Sequence, residues 1–283
     1  MNGIIVRIIS NLYSVKTTDG IHECRARGKF RKDEISPVVG DFVTIDPVNN
    51  YILEIKPRRN ELKRPIIANI DACIIVSSLK RPTFSPFLLD KMISNVLLED
   101  IEPIVVLSKY DLLEEDEKKE IQEIIDYYNK IGIKVIINSN VEEINKAIDK
   151  KTLVLTGQTG VGKSSLLNRL DINLNLETND ISDALGRGKH TTRHVEFFPY
   201  KNSLIADTPG FSALEIDKEK IDNIRYTFFE FKNDECKFRD CKHLKENGCA
   251  VLRDLENGLI LPSRYESCRK MVEDEGSNFF SKK

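Results

Sequence analysis

The chain has 283 residues, 40% of them hydrophobic and 31% charged, with a formal net charge of −2. That balance excludes a disordered chain and leaves room for two or three compact domains. No apolar run approaches the roughly 20 residues needed to cross a bilayer. The stretch Met1–Ser10 lacks a long apolar core and a small-residue cleavage site, so the sequence reads as cytoplasmic, with no signal peptide and no membrane partner.

Residues 1–64 read as short strands separated by turns. Ile4–Ile9, Leu12–Thr17, Ile21–Ala26 and Asp41–Asp46 have strand composition, and Thr18-Asp19-Gly20 is a tight-turn signal. About five short strands in this length predict a small OB-like β-barrel. The boundary is expected in Lys56–Pro65, a charged stretch bracketed by prolines.

Basic residues gather in this first quarter. Arg25, Arg27, Lys29, Arg31 and Lys32 form one group, answered locally by Glu23, Asp33 and Glu34, and Arg58, Arg59, Lys63 and Arg64 form another. A locally basic module on a slightly acidic protein is one way to approach RNA. The same pattern also describes a solvated face or linker.

From Ile66 the rhythm alternates between strand and helix. Ala72–Val76 is an apolar strand, and Leu88, Met92 and Val96 then fall on one helical face. Ile104–Leu107 is a second strand, with a helix near Glu114–Asn129. Val135–Ile137 is a third, with a helix over Val141–Lys150, and Leu153–Leu155 is a fourth. Such alternation predicts a mostly parallel sheet with helices on both faces.

The fourth strand runs into Gly157, Gln158, Thr159, Gly160, Val161, Gly162, Lys163 and Ser164, followed by Ser165 and an amphipathic helix start. This is the G-x-x-x-x-G-K-[ST] phosphate loop in its required strand–loop–helix setting. Its glycines let backbone N–H groups turn toward phosphate oxygens, and the helix N-terminus adds a favourable dipole. Lys163 supplies a cation for the β- and γ-phosphates, and Ser164 a hydroxyl for Mg²⁺.

Asp207-Thr208-Pro209-Gly210 follows the strand Ser203–Ala206 and resembles the DxxG element of GTPases. Asp207 suits a role in holding Mg²⁺ through water, and Gly210 can contact the γ-phosphate. Ser108-Lys109-Tyr110-Asp111 ends the second strand and resembles the guanine-reading [N/T]KxD element. A carboxylate at Asp111 can accept from guanine N1–H and the exocyclic amine, a pairing adenine does not offer. Lys109 can lay its stem over the base, and Ser108 replaces the usual Asn. Ser139-Asn140 sits where GTPases often carry a base-supporting turn.

The guanine element precedes the phosphate loop here, which reverses the ordinary order. Joining old termini and opening the chain elsewhere gives the same sheet. The chain thereby resembles the circularly permuted ribosome-assembly GTPases of the RsgA (YjeQ) family. The resemblance covers nearly the whole length: a barrel with Val39-Gly40-Asp41, the permuted motif order, Gly157–Ser165, Gly188-Lys189-His190-Thr191-Thr192, Asp207–Phe211 and a final Cys/His cluster. It implies GTP hydrolysis, binding to the small (30S) ribosomal subunit and its 16S rRNA, and a role late in that subunit's maturation.

On this resemblance Gly188–Thr192 is the switch I element, with Thr191 or Thr192 closing on Mg²⁺. Phe211 stands where many GTPases place a water-orienting Gln, and a phenyl ring cannot polarise water. His190 or His194 is then the candidate to position it, with His190 preferred. Cys236, Cys241, His243 and Cys249 supply three thiolates and an imidazole in a compact span, a ligand set for one closed, structural Zn²⁺.

The fold expected is therefore multidomain: an OB-like barrel over 1–64, a circularly permuted α/β P-loop GTPase domain over 65–218, and a mainly helical zinc-binding domain over 219–283. The ligands are GTP or GDP with Mg²⁺, and nothing demands more than a monomer. Two rival readings are an ATP-using P-loop enzyme and a non-enzymatic, nucleotide-gated RNA-binding protein.

Overall fold

The structure, a computed structural model, describes residues 1–27, 30, 36–63, 66–170, 195–207, 216 and 218–277. Strands β1 (Asn2–Ile9), β2 (Leu12–Lys16), β3 (Ile21–Ala26), β4 (Phe42–Asp46) and β5 (Tyr51–Ile55) close into a barrel in the order β1-β2-β3-β5-β4. Ile5, Val15, Cys24, Val43, Ile45 and Ile52 fill it. The composition of the chain marks the first four of these strands. Tyr51–Ile55 is harder to read, because Ile52 is its one fully buried residue and the period-two signal is weak.

The charged stretch Lys56–Pro65 is not a plain linker. It carries β6 (Glu61–Lys63), which pairs antiparallel with β7 (Ile66–Ala68). Arg58 reaches back to the barrel, donating through Nε and Nη2 to the Asp41 carboxylate at 2.7 and 2.9 Å and through Nη1 to Glu61 at 2.6 Å. Arg59 donates to Asp71 at 2.8 Å. Both arginines are ion-paired within the chain: Arg58 is drawn largely inward at the joint, while Arg59 stays 56% exposed and remains part of the basic surface.

Val39-Gly40-Asp41 is the other half of this joint. Gly40 has φ +94°, and a Cβ there would lie 1.9 Å from the Ala68 carbonyl oxygen, so only glycine fits. Asp41 is fully buried, and its carboxylate also accepts from Val38 N–H. The buried Asn69 amide donates to the Gly40 carbonyl at 2.9 Å.

Beyond the joint lie β8 (Ala72–Ser78), β9 (Glu102–Ser108), β10 (Lys134–Ile137), β11 (Thr152–Thr156), β12 (Phe197–Tyr200) and β13 (Ser203–Asp207). They form one sheet in the order β10-β9-β8-β11-β13-β12. Five strands are parallel and β12 is an antiparallel edge, an addition that the alternating pattern did not announce. Asp71 stands at the root of this sheet and accepts from Thr152 N–H at 2.8 Å.

Side chains alternate across the sheet as period two requires. Cys73, Ile75, Val105 and Leu107 face helices α1 (Pro86–Leu97) and α2 (Glu115–Lys130). Ala72, Ile74, Ile104 and Val106 face α3 (Val141–Ile148) and α4 (Lys163–Leu170). Helix α1 starts cleanly, with Ser85 accepting from Leu88 N–H and Pro86 in the first turn.

The last module contains a 3-10 segment (Lys218–Thr227), α5 (Ala250–Glu256) and α6 (Pro262–Ser277), with its own core around Phe228, Phe231, Val251 and Met271. It docks on α1. That helix buries polar Asp90 and Ser94 beside its apolar face, because Arg264 of α6 and Thr227 meet them there at 2.6 and 2.7 Å.

Candidate nucleotide site and metal cluster

The carboxyl ends of β8, β9, β11 and β13 share one edge of the sheet, the edge where open α/β sheets bind ligands. The loop after β11 leaves through Gly157, whose φ is +147° and whose absent Cβ would lie 2.4 Å from the Val76 carbonyl oxygen. Gly160 and Gly162 also hold positive φ, +78° and +95°. Each glycine here supplies backbone freedom a side chain would remove. Helix α4 begins at Lys163, directing its N-terminus at the loop, and Lys163 Nζ donates to the Gly157 and Gln158 carbonyls at 2.7 and 2.9 Å. Gln158, Thr159, Gly160 and Ser165 are exposed, Ser164 is half-buried, and Val161 is buried in the core beneath.

The loop after β9 comes to meet it. Ser108 is 1% exposed, and its Oγ donates to the Val161 carbonyl at 2.5 Å and lies 3.4 Å from the Ser77 carbonyl. Expected among the base-reading residues, Ser108 serves here as a strut between the base loop and the phosphate loop. Lys109 takes a left-handed turn, φ +61°, and its Nζ donates to the Gly160 carbonyl at 2.8 Å and to the Arg81 carbonyl. That turn starts the short 3-10 helix Tyr110–Leu112, which leaves Asp111 exposed. Asn140 is committed elsewhere, since its side chain caps α3 by accepting from Glu143 N–H. Asp207 is the last residue of β13, in register with Leu155 of β11. Gly210, Phe211, His190, Thr191, Thr192 and His194 lie outside the described residues.

In the last module Cys236, Cys241, His243 and Cys249 bring their ligand atoms within 4.8 Å of one another. Cys236 Sγ lies 3.9 Å from Cys249 Sγ and 3.7 Å from His243 Nδ1, which is 3.3 Å from Cys249 Sγ. A tetrahedral zinc with ordinary bond lengths sets S···S near ~3.8 Å and S···N near ~3.6 Å, so the cluster can hold a metal ion. Ala250 N–H and Leu252 N–H donate to the sulfurs of Cys236 and Cys249, an arrangement that favours thiolate over thiol. Burial, reinforced by the neighbouring Cys249 and Cys236 sulfurs, pushes the Cys241 thiol up to about 12, and burial together with the Arg225 charge pushes the His243 imidazole below its usual value. A divalent cation is the group that makes three clustered thiolates tolerable.

Two residues that support this cluster carry no local sequence signal. Arg225 Nη1 donates to the Cys241 carbonyl at 2.8 Å, and Tyr265 of α6 donates to the His243 carbonyl at 2.8 Å. Both come from elements distant in sequence, where only the packed module reveals them. Among the described residues no helix is long and apolar enough to cross a membrane.

Comparison with known proteins agrees with this arrangement. Residues 2–52 match the RsgA N-terminal domain family and residues 55–217 the RsgA GTPase family. A small ribosomal subunit biogenesis GTPase RsgA from Halalkalibacterium halodurans is 45% identical over 282 residues, with 96% of each chain covered. Its namesake from Caldanaerobacter subterraneus subsp. tengcongensis is 45% identical, covering 97% of this chain and 95% of that one. Among solved structures, YloQ, a circularly permuted GTPase, superposes with a TM-score of 0.82 at 36% identity, covering 98% of this chain and 95% of its own. YjeQ from Thermotoga maritima gives 0.84 at 32% identity, covering 97% and 98%. With the permuted loop order, the closed barrel and the Cys/His cluster all in one chain, this protein belongs to the RsgA GTPase family.

Proposed function

We propose that the protein hydrolyses GTP to GDP and phosphate while bound to the small ribosomal subunit, late in that subunit's maturation, with turnover stimulated by the subunit. The observation that carries this reading is the joining of a base loop to a phosphate loop through Ser108 and Val161, in a chain 45% identical to proteins named for small-subunit biogenesis. Asp111 reads the guanine edge, the backbone of Gly157–Ser165 cradles the phosphates, and Lys163 exchanges its loop carbonyls for phosphate oxygens. Ser164, with Thr191 or Thr192, would hold Mg²⁺, whose contribution is to neutralise charge on the phosphates. Asp207 supports that ion through water, Gly210 contacts the γ-phosphate, and His190 positions the attacking water in place of the missing Gln.

The working division is a barrel over 1–64, a GTPase domain over 65–218 and a zinc module over 219–283, acting as a cytoplasmic monomer on 16S rRNA. The four-ligand cluster would hold structural Zn²⁺, since a closed set leaves no position for chemistry. The test is turnover of GTP and ATP by the purified protein, with and without small subunits. Slow, GTP-selective hydrolysis that rises sharply with the subunit is the expected result. Equal use of ATP, or no response to the subunit, would remove the corresponding part of the reading.

A further inference from the structure

A recess outside the nucleotide site lies against the metal cluster. It is a cavity of about 460 Å³, open to solvent, between the 3-10 segment, the metal loop and α6. That volume falls within the about 300–1,000 Å³ of sites that take small flat ligands. Phe231, Leu244 and Val272 line its apolar wall, and Arg225, Asp240 and Lys242 bring donors and an acceptor to it. Phe231 is edge-on to His243, with ring centroids 5.8 Å apart, so the metal cluster and the apolar wall are one packed unit.

Two further observations select the kind of occupant. Arg225 uses Nη1 on the Cys241 carbonyl and Nη2 on the Tyr226 hydroxyl, while its buried Nε–H has no hydrogen-bond partner among the described residues. Beside it the surface carries cation–aromatic pairs. Arg225 stands 4.9 Å over the ring of Tyr226, which is 54% exposed, and Lys237 stands 5.6 Å over Phe238, which is 46% exposed. The two pairs are tied together, because Arg225 holds the Cys241 carbonyl and Cys241 N–H donates to the Phe238 carbonyl.

Exposed rings interleaved with cations are how proteins stack unpaired bases. A cavity with apolar walls, the donors Arg225 and Lys242 and the acceptors Asp222 and Asp240 offers the edge of a base both kinds of partner, whereas a phosphate could use only the donors. We propose that this cavity receives one unpaired RNA base, with its neighbours stacked on Tyr226 and Phe238. The proposal rests on the reading of the protein as a small-subunit factor, and it names the single-stranded element that the metal-binding module would grip.

The test uses the full-length, metal-loaded protein. Val272→Trp fills the cavity from α6 and removes no hydrogen bond, and Leu244→Phe fills it from the opposite wall should the first variant fail to fold. Probes are short single-stranded homopolymers of each RNA base, the same strands annealed to their complements, and small ribosomal subunits. The wild type is expected to bind at least one single strand about tenfold more tightly than its duplex, and the filled variant to lose that preference. Metal content and subunit-free GTP turnover should stay at wild-type levels. Equal binding of single strands by the wild type and a folded, filled variant would overturn the proposal. So would loss of subunit binding in the variant that no homopolymer competes for, which would assign the cavity to a protein segment. Subunit-stimulated turnover in the wild type is measured in parallel, so failure of the small-subunit reading shows there and failure of the pocket shows in the variant.

Discussion

Arg264 on α6 and Asp90 on α1 face each other at 2.6 Å, with side chains 1% and 0% exposed. Glu230 takes the opposite edge of the same guanidinium at 2.7 Å, and the Phe228 and Tyr128 rings lie 4.2 and 5.1 Å from its centre. Tyr128 also donates to Asp90 at 2.5 Å. One cation thus fastens the metal-binding module to the nucleotide-binding sheet. Removing a single partner leaves a buried charge uncompensated, which costs about 3–5 kcal/mol. Arg264→Ala should therefore lower stability by that order in urea unfolding, and combining Arg264→Met with Asp90→Leu and Glu230→Gln, which leaves no buried charge unpaired, should recover much of the loss. A stability loss below about 1 kcal/mol in Arg264→Ala would show that the fastening lies elsewhere.

The same interface should weaken in alkali. Burial, reinforced by the Glu230 charge, pushes the Tyr127 phenol from 10 up to about 12. A group with a raised folded pKa binds its proton more tightly when folded, so its contribution is complete below pH 10 and fades as the pH rises toward 12. Other buried phenols and thiols add to the trend, so the share of Tyr127 is the difference between wild type and Tyr127→Phe. That variant also loses the bond accepted from Leu261 N–H, a pH-independent offset of about 1 kcal/mol. The two stability curves should run parallel below pH 10 and converge above it.

Ser108 gives a separate handle on the nucleotide site. Ser108→Ala deletes the strut to Val161 and leaves a buried carbonyl unpaired, at about 1–3 kcal/mol. Nucleotide affinity, measured by titration calorimetry, should fall about tenfold or more for GTP and GDP alike, because the phosphate loop and the base loop lose their common register. An effect confined to one nucleotide would point to direct contact instead.

Metal removal should act locally. Cys249 both contributes to the cluster and caps α5 through Leu252 N–H, and Tyr265 and Arg225 depend on the carbonyls of the metal loop. Chelation should raise hydrogen exchange across residues 236–256, leave the barrel strands protected, and release about one zinc per chain by elemental analysis. A metal-free preparation with unchanged exchange in that segment would overturn the structural role.

Gly40→Ala is the most severe single change foreseen in the barrel joint. The added carbon meets a backbone oxygen at 1.9 Å, at a φ that side chains disfavour, and mutations of this class cost upwards of about 3 kcal/mol. Expression as insoluble protein, or a large drop in thermal midpoint, is the expected outcome.

Much of the site was legible because its chemistry is local. Gly157–Ser165 is read from spacing alone, since a strand, three glycines and a helix start have one common geometric purpose. Cys236–Cys249 is read for a similar reason, as metal ligands must gather within one coordination sphere. The parallel sheet followed from strand–helix alternation, whereas β12 was hidden because a short antiparallel edge has no crossover helix to announce it. The joint was legible only in part: Arg58 and Arg59 read as basic surface or linker, and the Asp41 carboxylate that draws Arg58 inward lies 17 residues away in sequence. Asp90, Ser94, Thr227 and Arg264 escaped notice for a related reason. Polar residues on an amphipathic helix are expected in water, and only the docked module turns that face inward.

Asp71 binds Arg59 of the joint with one oxygen and the first residue of β11 with the other. The strand that delivers the phosphate loop is therefore rooted in the same carboxylate that anchors the barrel. A shift of the joint that moves Arg59 pulls on the carboxylate that holds the base of β11. At its other attachment the sheet is joined through α1 to the metal-binding module, where Arg264 meets Asp90, so the barrel and the last module grip the same sheet at two separate points.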